Sequence, residues 1–270
     1  MDFINHSVRS LFVFLMGFLL ISCESNQNEM KKIIFLHHST GKNIWLGKTN
    51  RYINKLIKRS DVREYFKKFN KQNHTNYLIT ERNFPKETPY GWKNNPYDYY
   101  NIWVKNAGDK PYMEEPTLEI LTKEYDVIIF KHCYPASRIL PDTIAPNIDS
   151  ETKSIENYKL QYNALKKKMH EFPNNKFIVW TPAVFVKNQI TEDEAKRTQQ
   201  FYKWMIDEWD EKGDNIFIWD FYKYETEGGI YMLDKYADGP SNSHPGRDFS
   251  ARMSPLLSKF IIDAMEDRLE

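Results

Sequence analysis

Four short stretches of this chain, Ile33 to Leu36, Val127 to Phe130, Phe177 to Trp180 and Ile216 to Trp219, are continuously apolar instead of alternating with polar residues. Strands covered on both faces read this way, whereas half-solvated strands alternate. Tyr77 to Thr80 is a weaker fifth strand. Between the runs the period changes. Ile155, Tyr158, Tyr162, Leu165, Met169 and Phe172 recur at three- and four-residue steps up to Pro173, which predicts an amphipathic helix whose tyrosines belong to the core. Thr191, Glu192, Asp193 and Glu194 match a capping box and open a helix that stops at Gly213. A last helix is expected from about Pro255 to Arg268, with Leu256, Phe260, Ile261, Ala264 and Met265 inward. Buried strands alternating with amphipathic helices predict a three-layer α/β/α fold with a mainly parallel sheet. In such sheets ligands collect at the carboxyl ends of the strands. Four polar segments should therefore converge, namely His37 to Gly41, Lys131 to Arg138, Thr181 to Asn188 and Asp220 to Asp248.

The start of the chain follows another logic. Arg9 precedes an apolar segment, Leu11 to Ile21, that is too short to span a bilayer but has the length of a signal h-region. It ends in Leu20, Ile21, Ser22 and Cys23, which resembles the lipobox of bacterial lipoproteins. The resemblance implies loss of residues 1–22, acylation of Cys23, a polar tether over 23–30 and one domain over 31–270. It also implies a lipid-anchored protein of the bacterial cell envelope, at the outer membrane or the periplasmic face, held stably by more than one acyl chain. The formal net charge of +1 is unchanged by removing Asp2 and Arg9, so no electrostatic case for nucleic acid exists. With Cys23 acylated, Cys133 is the one remaining thiol, and no disulfide can form within the chain. No internal repeat and no second-domain linker interrupt the pattern.

Ser39 follows the first apolar run in the stretch Ile33-Ile-Phe-Leu-His-His-Ser-Thr-Gly41, and His244 lies in Ser243-His-Pro-Gly246 before the last helix. This order resembles the SGNH/GDSL hydrolase family, whose fold is also flavodoxin-like. The resemblance implies that Ser39 is the nucleophile and His244 its base, because a serine hydroxyl attacks well only when an imidazole within reach takes its proton. The family's Gly-Asp-Ser is replaced by His37-His38-Ser39, and Ser241 stands three residues before His244 where the family has its acid. Asp238, six residues before, is the candidate acid, with a backbone carbonyl or no acid as open alternatives. The family's Gly-x-Asn-Asp block should fall near Lys131 to Arg138, where neither glycine nor asparagine occurs. Thr40, Cys133 and Ser137 are the candidate oxyanion donors, through backbone N–H groups or a hydroxyl. The bland alternatives are that Ser39 caps a helix and that His244 holds a loop.

A nearby cluster, His37, His38, His132 and Cys133, does not read as a metal site, since adjacent histidines on a strand point to opposite faces and no carboxylate sits at ligand spacing. Gly41 to Gly47-Lys48-Thr49 misses the P-loop by one residue and places Trp45 and Leu46 where backbone should wrap phosphate. No cofactor is called for. The aromatic stretch from Pro89 to Trp103 lacks a helical or strand period and predicts an ordered insertion around 84–106. Its rings either stack on sugar faces or fold back as a small satellite core. On the first alternative Tyr97, Tyr100 and Trp103, together with His38, face the substrate. The sequence thus points to a lipid-anchored serine ester hydrolase acting on an acylated carbohydrate or another small ester. The alternative is a non-catalytic surface lipoprotein that binds glycan or protein on the same fold.

Overall fold

The computed structural model describes residues 29–90 and 94–269. The signal segment, most of the tether and Cys23 lie outside the described residues. The first half of the chain contains β1 (Lys31–His37), α1 (Ser39–Leu46), α2 (Arg51–Ile57), α3 (Asp61–Asn73), β2 (Tyr77–Asn83), α4 (Glu87–Tyr90), α5 (Pro96–Tyr100), α6 (Leu118–Glu124) and β3 (Val127–Phe130). The second half contains α7 (Ile155–His170), β4 (Lys176–Trp180), α8 (Glu192–Trp204), β5 (Ile216–Trp219), α9 (Phe221–Thr226) and α10 (Arg247–Met265). The strands pair in the order β2-β1-β3-β4-β5, and every pairing is parallel. This is the doubly wound order in which the chain reverses direction between β1 and β3.

Alternate residues of β1 serve two cores. Ile33 and Phe35 pack with Trp45, Phe66, Met253 and Leu257 from α1, α3 and α10. Ile34 and Leu36 pack with Trp103, Leu121, Tyr162 and Phe201 on the opposite face. The three-layer α/β/α architecture expected from the apolar runs is the one observed. β2 is real and extends to Asn83, although it lies at the sheet edge and buries only Ile79 fully, which explains its weak signal. The capping box on Thr191 forms, with its hydroxyl receiving the Glu194 N–H.

One expectation changes and one open alternative is decided. The last helix begins at Arg247, well before Pro255, which sits inside it. Its first turns are held by tertiary contacts that outweigh the proline, among them Phe249 and Met253 in the core and the Ser254 hydroxyl on the Ile44 carbonyl of α1. The inward face is set by Leu257 and Ile261, and Leu256 is 37% exposed. The aromatic insertion is also a core component. Trp103 is fully buried, edge-on to Phe130 and Tyr99, with its Nε1–H on the Pro116 carbonyl at 3.2 Å. Tyr100 is buried as well.

Gly41 allows α1 to start directly against β1, because a Cβ built there would stand 2.5 Å from the Cβ of buried His37. Gly41→Ala should therefore destabilise the fold by about 1–3 kcal/mol through overpacking. In urea unfolding this reads as a lower midpoint at unchanged slope.

Candidate functional site

Parallel pairing sends the loops after β1, β3, β4 and β5 to one edge of the sheet, and side chains then tie them together. Tyr134, after β3, meets the His244 ring edge-on at 5.0 Å and the Phe185 ring at 4.8 Å. The Ser137 hydroxyl donates to the Ala183 carbonyl. The Val186 N–H donates to the Ser243 hydroxyl at 3.0 Å. From α1, the Asn43 amide donates to the Pro245 carbonyl at 3.0 Å. Three of the four polar segments expected at this edge are joined directly by these contacts, and the first, His37 to Gly41, is tied in through Asn43 two residues beyond it.

Ser39 is the first residue inside α1, and the cap position belongs to His38. The serine side chain therefore does not cap the helix. It is half-buried and takes part in no hydrogen bond among the described residues. The first intrahelical bond runs from the Lys42 N–H to the His38 carbonyl, so the N–H groups of Ser39, Thr40 and Gly41 are the unsatisfied donors that every helix start leaves. Thr40 is fully buried.

His244 is held from two sides. Its main chain is pinned because the Asp238 N–H donates to the His244 carbonyl at 2.8 Å and the Gly246 N–H to the Tyr236 carbonyl at 2.7 Å. Its ring is oriented by Asn242. The Asn242 Oδ1 lies 2.7 Å from His244 Nδ1 and also accepts the His244 backbone N–H at 3.1 Å. The Asn242 Nδ2 donates to Asp238 Oδ2 at 3.2 Å, which fixes the amide orientation. An acceptor at Nδ1 places the proton there and leaves Nε2 with a free lone pair. The Asp238 carboxylate thus reaches the His244 ring through Asn242, not by direct contact. Sequence spacing missed Asn242, although an asparagine two residues before the histidine is placed for the local turn in which its side chain bonds a backbone two residues on.

Burial, then the charges of Lys131 and Arg51, push the His244 imidazole below its usual value, opposed by Asp238. Lys131, unmarked in the sequence, is the second missed residue. Directly after β3 it is buried, with its Nζ 3.4 Å from Cys133 Sγ. Burial and then its charge hold His38 at about 4 and His132 at about 3. Beside it Glu225 is fully buried, accepts the Val184 N–H at 2.8 Å and is pushed up to about 8 by desolvation.

Other candidates are committed elsewhere. The Cys133 N–H donates to the Asn94 side chain at 2.7 Å, so it does not point to an oxyanion, and the Ser137 hydroxyl is spent on Ala183. Asn94 itself is used up, its amide donating to the Phe84 carbonyl and the Tyr99 hydroxyl. The His38 side chain is buried. Tyr97 and Tyr100 pair with each other at 6.2 Å, Tyr100 and Lys105 meet Asp149, and no hydrogen bond or ring contact among the described residues links them to Ser39 or His244. Trp103 is enclosed in the core and lines no site. Among the described residues no group of three or more His, Cys, Asp or Glu side chains is placed to hold a metal ion.

Glu225 makes stability depend on pH in a stated direction. Its folded value lies above the ordinary 4.5, so between about 4.5 and about 8 the folded state holds a proton that the unfolded state has lost. Stability contributed by this group is therefore greatest below that window and falls as pH rises through it. Thermal unfolding of Glu225→Gln should show a flatter dependence of Tm on pH across this window than wild type.

No protein-family model matches the chain. No curated protein matches it either. Among solved structures, the chain is similar to a gut microbial diltiazem-metabolizing enzyme, with 10% identity and a TM-score of 0.47. That likeness covers 88% of this chain and 47% of the other, so the chain spans about half the length of that enzyme.

Proposed function

We propose that this chain is a serine hydrolase that cleaves an ester, with Ser39 as nucleophile and His244 as general base. The observation that carries the reading is the bond from Asn43 to Pro245, which joins the turn after Ser39 to the residue after His244 across more than two hundred positions of sequence. His244 Nε2 takes the proton as Ser39 Oγ attacks the ester carbonyl, and returns it to the departing alkoxide, leaving an acyl-serine. Water, deprotonated by the same nitrogen, then releases the acid and restores the serine. The oxyanion faces the first-turn N–H groups of α1 at Ser39 and Thr40, whose orientation at a helix start favours negative charge. Asn242 keeps the imidazole in the tautomer that can accept, and Asp238 stabilises the imidazolium through it.

On this reading the envelope tether belongs to Cys23, outside the described residues. The acyl-glycan substrate rested on the aromatic stretch, and burial of Trp103 and Tyr100 removes that support. The reading is therefore carried by the ester chemistry alone.

Hydrolysis of short-chain chromogenic acyl esters by residues 24–270 tests the assignment. Ser39→Ala and His244→Ala should each lower kcat/KM by roughly 10³-fold or more. Asn242→Ala should lose roughly 10- to 100-fold, because it removes the orienting group but leaves the base. Turnover unaffected by either of the first two changes would remove the assignment.

The free-enzyme pH profile adds a signed test. Because the His244 value is depressed, kcat/KM should rise with pH through an ionisation below 6.5 and stay level at neutral pH. Asp238 is the group that raises that value, so Asp238→Asn should move the acid limb to still lower pH.

A further inference from the structure

Beside α1 opens a cleft of about 450 Å³ whose charged lining is Lys42, Arg51, Lys55, Lys58, Arg63 and Glu81. Five cations thus face one carboxylate. Glu81 is already engaged by His37 at 3.0 Å and by Lys42, so it compensates the lysine of α1 and little else. Arg51 and Arg63 have neutral partners, the Asn43 side-chain oxygen and the Lys58 carbonyl, both at 2.7 Å. Lys55 and Lys58 make no ion pair among the described residues. The chain as a whole carries a net charge of only +1, so this concentration is local and not a consequence of a basic protein. Uncompensated like charges in one concavity repel one another and attract an anion.

The cleft and the candidate nucleophile share α1. On α1, Lys42 and Asn43 lie three and four residues after Ser39 and share its face, about 5 Å along the helix axis. Asn43 is the hinge between the two regions, since it bonds Arg51 of the cleft on one side and the Pro245 carbonyl beside His244 on the other. Guanidinium groups match two-oxygen acceptors, and the lysines add point charges that tolerate varied geometry.

We infer that this cleft binds an anionic substituent of the ester substrate, a carboxylate, sulfate or phosphate carried roughly one helical turn from the scissile bond. The inference rests on the serine hydrolase reading for the word substrate, and on the cleft alone for anion binding. It narrows the natural substrate to acidic esters.

Two arms keep these parts separable. First, inorganic phosphate is titrated against Ser39→Ala at constant ionic strength set by sodium chloride. It should raise Tm by on the order of 2–4 °C near saturation, and the rise should vanish in a chain that also carries Lys55→Gln and Lys58→Gln. Second, phenyl acetate is compared with its ring-sulfated counterpart, 4-sulfooxyphenyl acetate. The ratio of kcat/KM for the anionic over the neutral ester should fall about tenfold or more in Lys55→Gln/Lys58→Gln, and further in Lys55→Glu/Lys58→Glu. Turnover with no phosphate response and no charge preference would overturn the cleft assignment and leave the hydrolase standing. A phosphate response without turnover of any ester would do the reverse. Binding to phosphatidylglycerol vesicles without response to soluble anion would overturn the substrate reading in favour of a lipid surface, which the exposed Tyr52 and Leu56 of α2, at 79% and 82%, would then contact.

Discussion

All five strands run in the same direction, and everything at the candidate site follows from that constraint. Parallel pairing needs a crossover after each strand, and each crossover must leave from the carboxyl edge. The loops that carry Ser39, Lys131, Thr181 and Asp220 therefore emerge side by side, although nearly two hundred residues separate the first from the last. α10 returns beneath the same edge, packed on α1 and α3, and so delivers the Asp238 to Gly246 loop to the turn that follows Ser39. Without the parallel order the serine and histidine blocks would have no reason to meet.

The same edge concentrates charge in a dry setting. Lys131 stands in place of the next apolar residue at the end of a fully buried strand, and its Nζ has a thiol as its hydrogen-bond partner. A cation so placed acts over several ångströms because little water screens it. Burial first and this charge second hold His38, His132 and His244 toward the neutral form. On the proposed hydrolase reading this suits His244, since an imidazole that is neutral at ordinary pH can accept a proton. Glu225 completes the arrangement by holding the Val184 N–H of the β4 loop, at the cost of a carboxyl group that desolvation keeps largely protonated near neutral pH.

The aromatic segment shows how a surface pattern and a core pattern can be confused. Polar and aromatic residues interleave from Pro89 to Trp103 with no fixed period, although the described residues from Pro96 onward are helical, α to Tyr100 and π from Asn101 to Lys105. Trp103 and Tyr99 nevertheless close one face of the sheet, and Asn94 spends its side-chain amide inside the chain on Phe84, Tyr99 and Cys133. Polar residues next to rings thus satisfy buried backbone and side-chain groups, which a one-dimensional pattern does not distinguish from groups that await a ligand.

The sequence by itself determined the layers and the order of the blocks. Short continuous apolar runs bounded by polar turns fit strands covered on both faces, and the stripe from Ile155 to Phe172 fits a helix with one inward face, because side-chain periodicity is a local property. Ser39 and His244 became candidates through a resemblance in block order and not through periodicity, each lying just past or just before such an element. What the tertiary structure decided were the partners. Asn242 orients His244 because the loop pairs Asp238 with His244 main chain to main chain. Cys133 and Ser137 are engaged by Asn94 and Ala183, from segments distant in sequence. The five cations of the cleft come from α1, α2, α3 and the turn between the last two, and that only Lys42 of them has a carboxylate partner among the described residues is a fact of packing. Hydrogen bonds and uncompensated charges depend on which segments meet in space, and no local period records that.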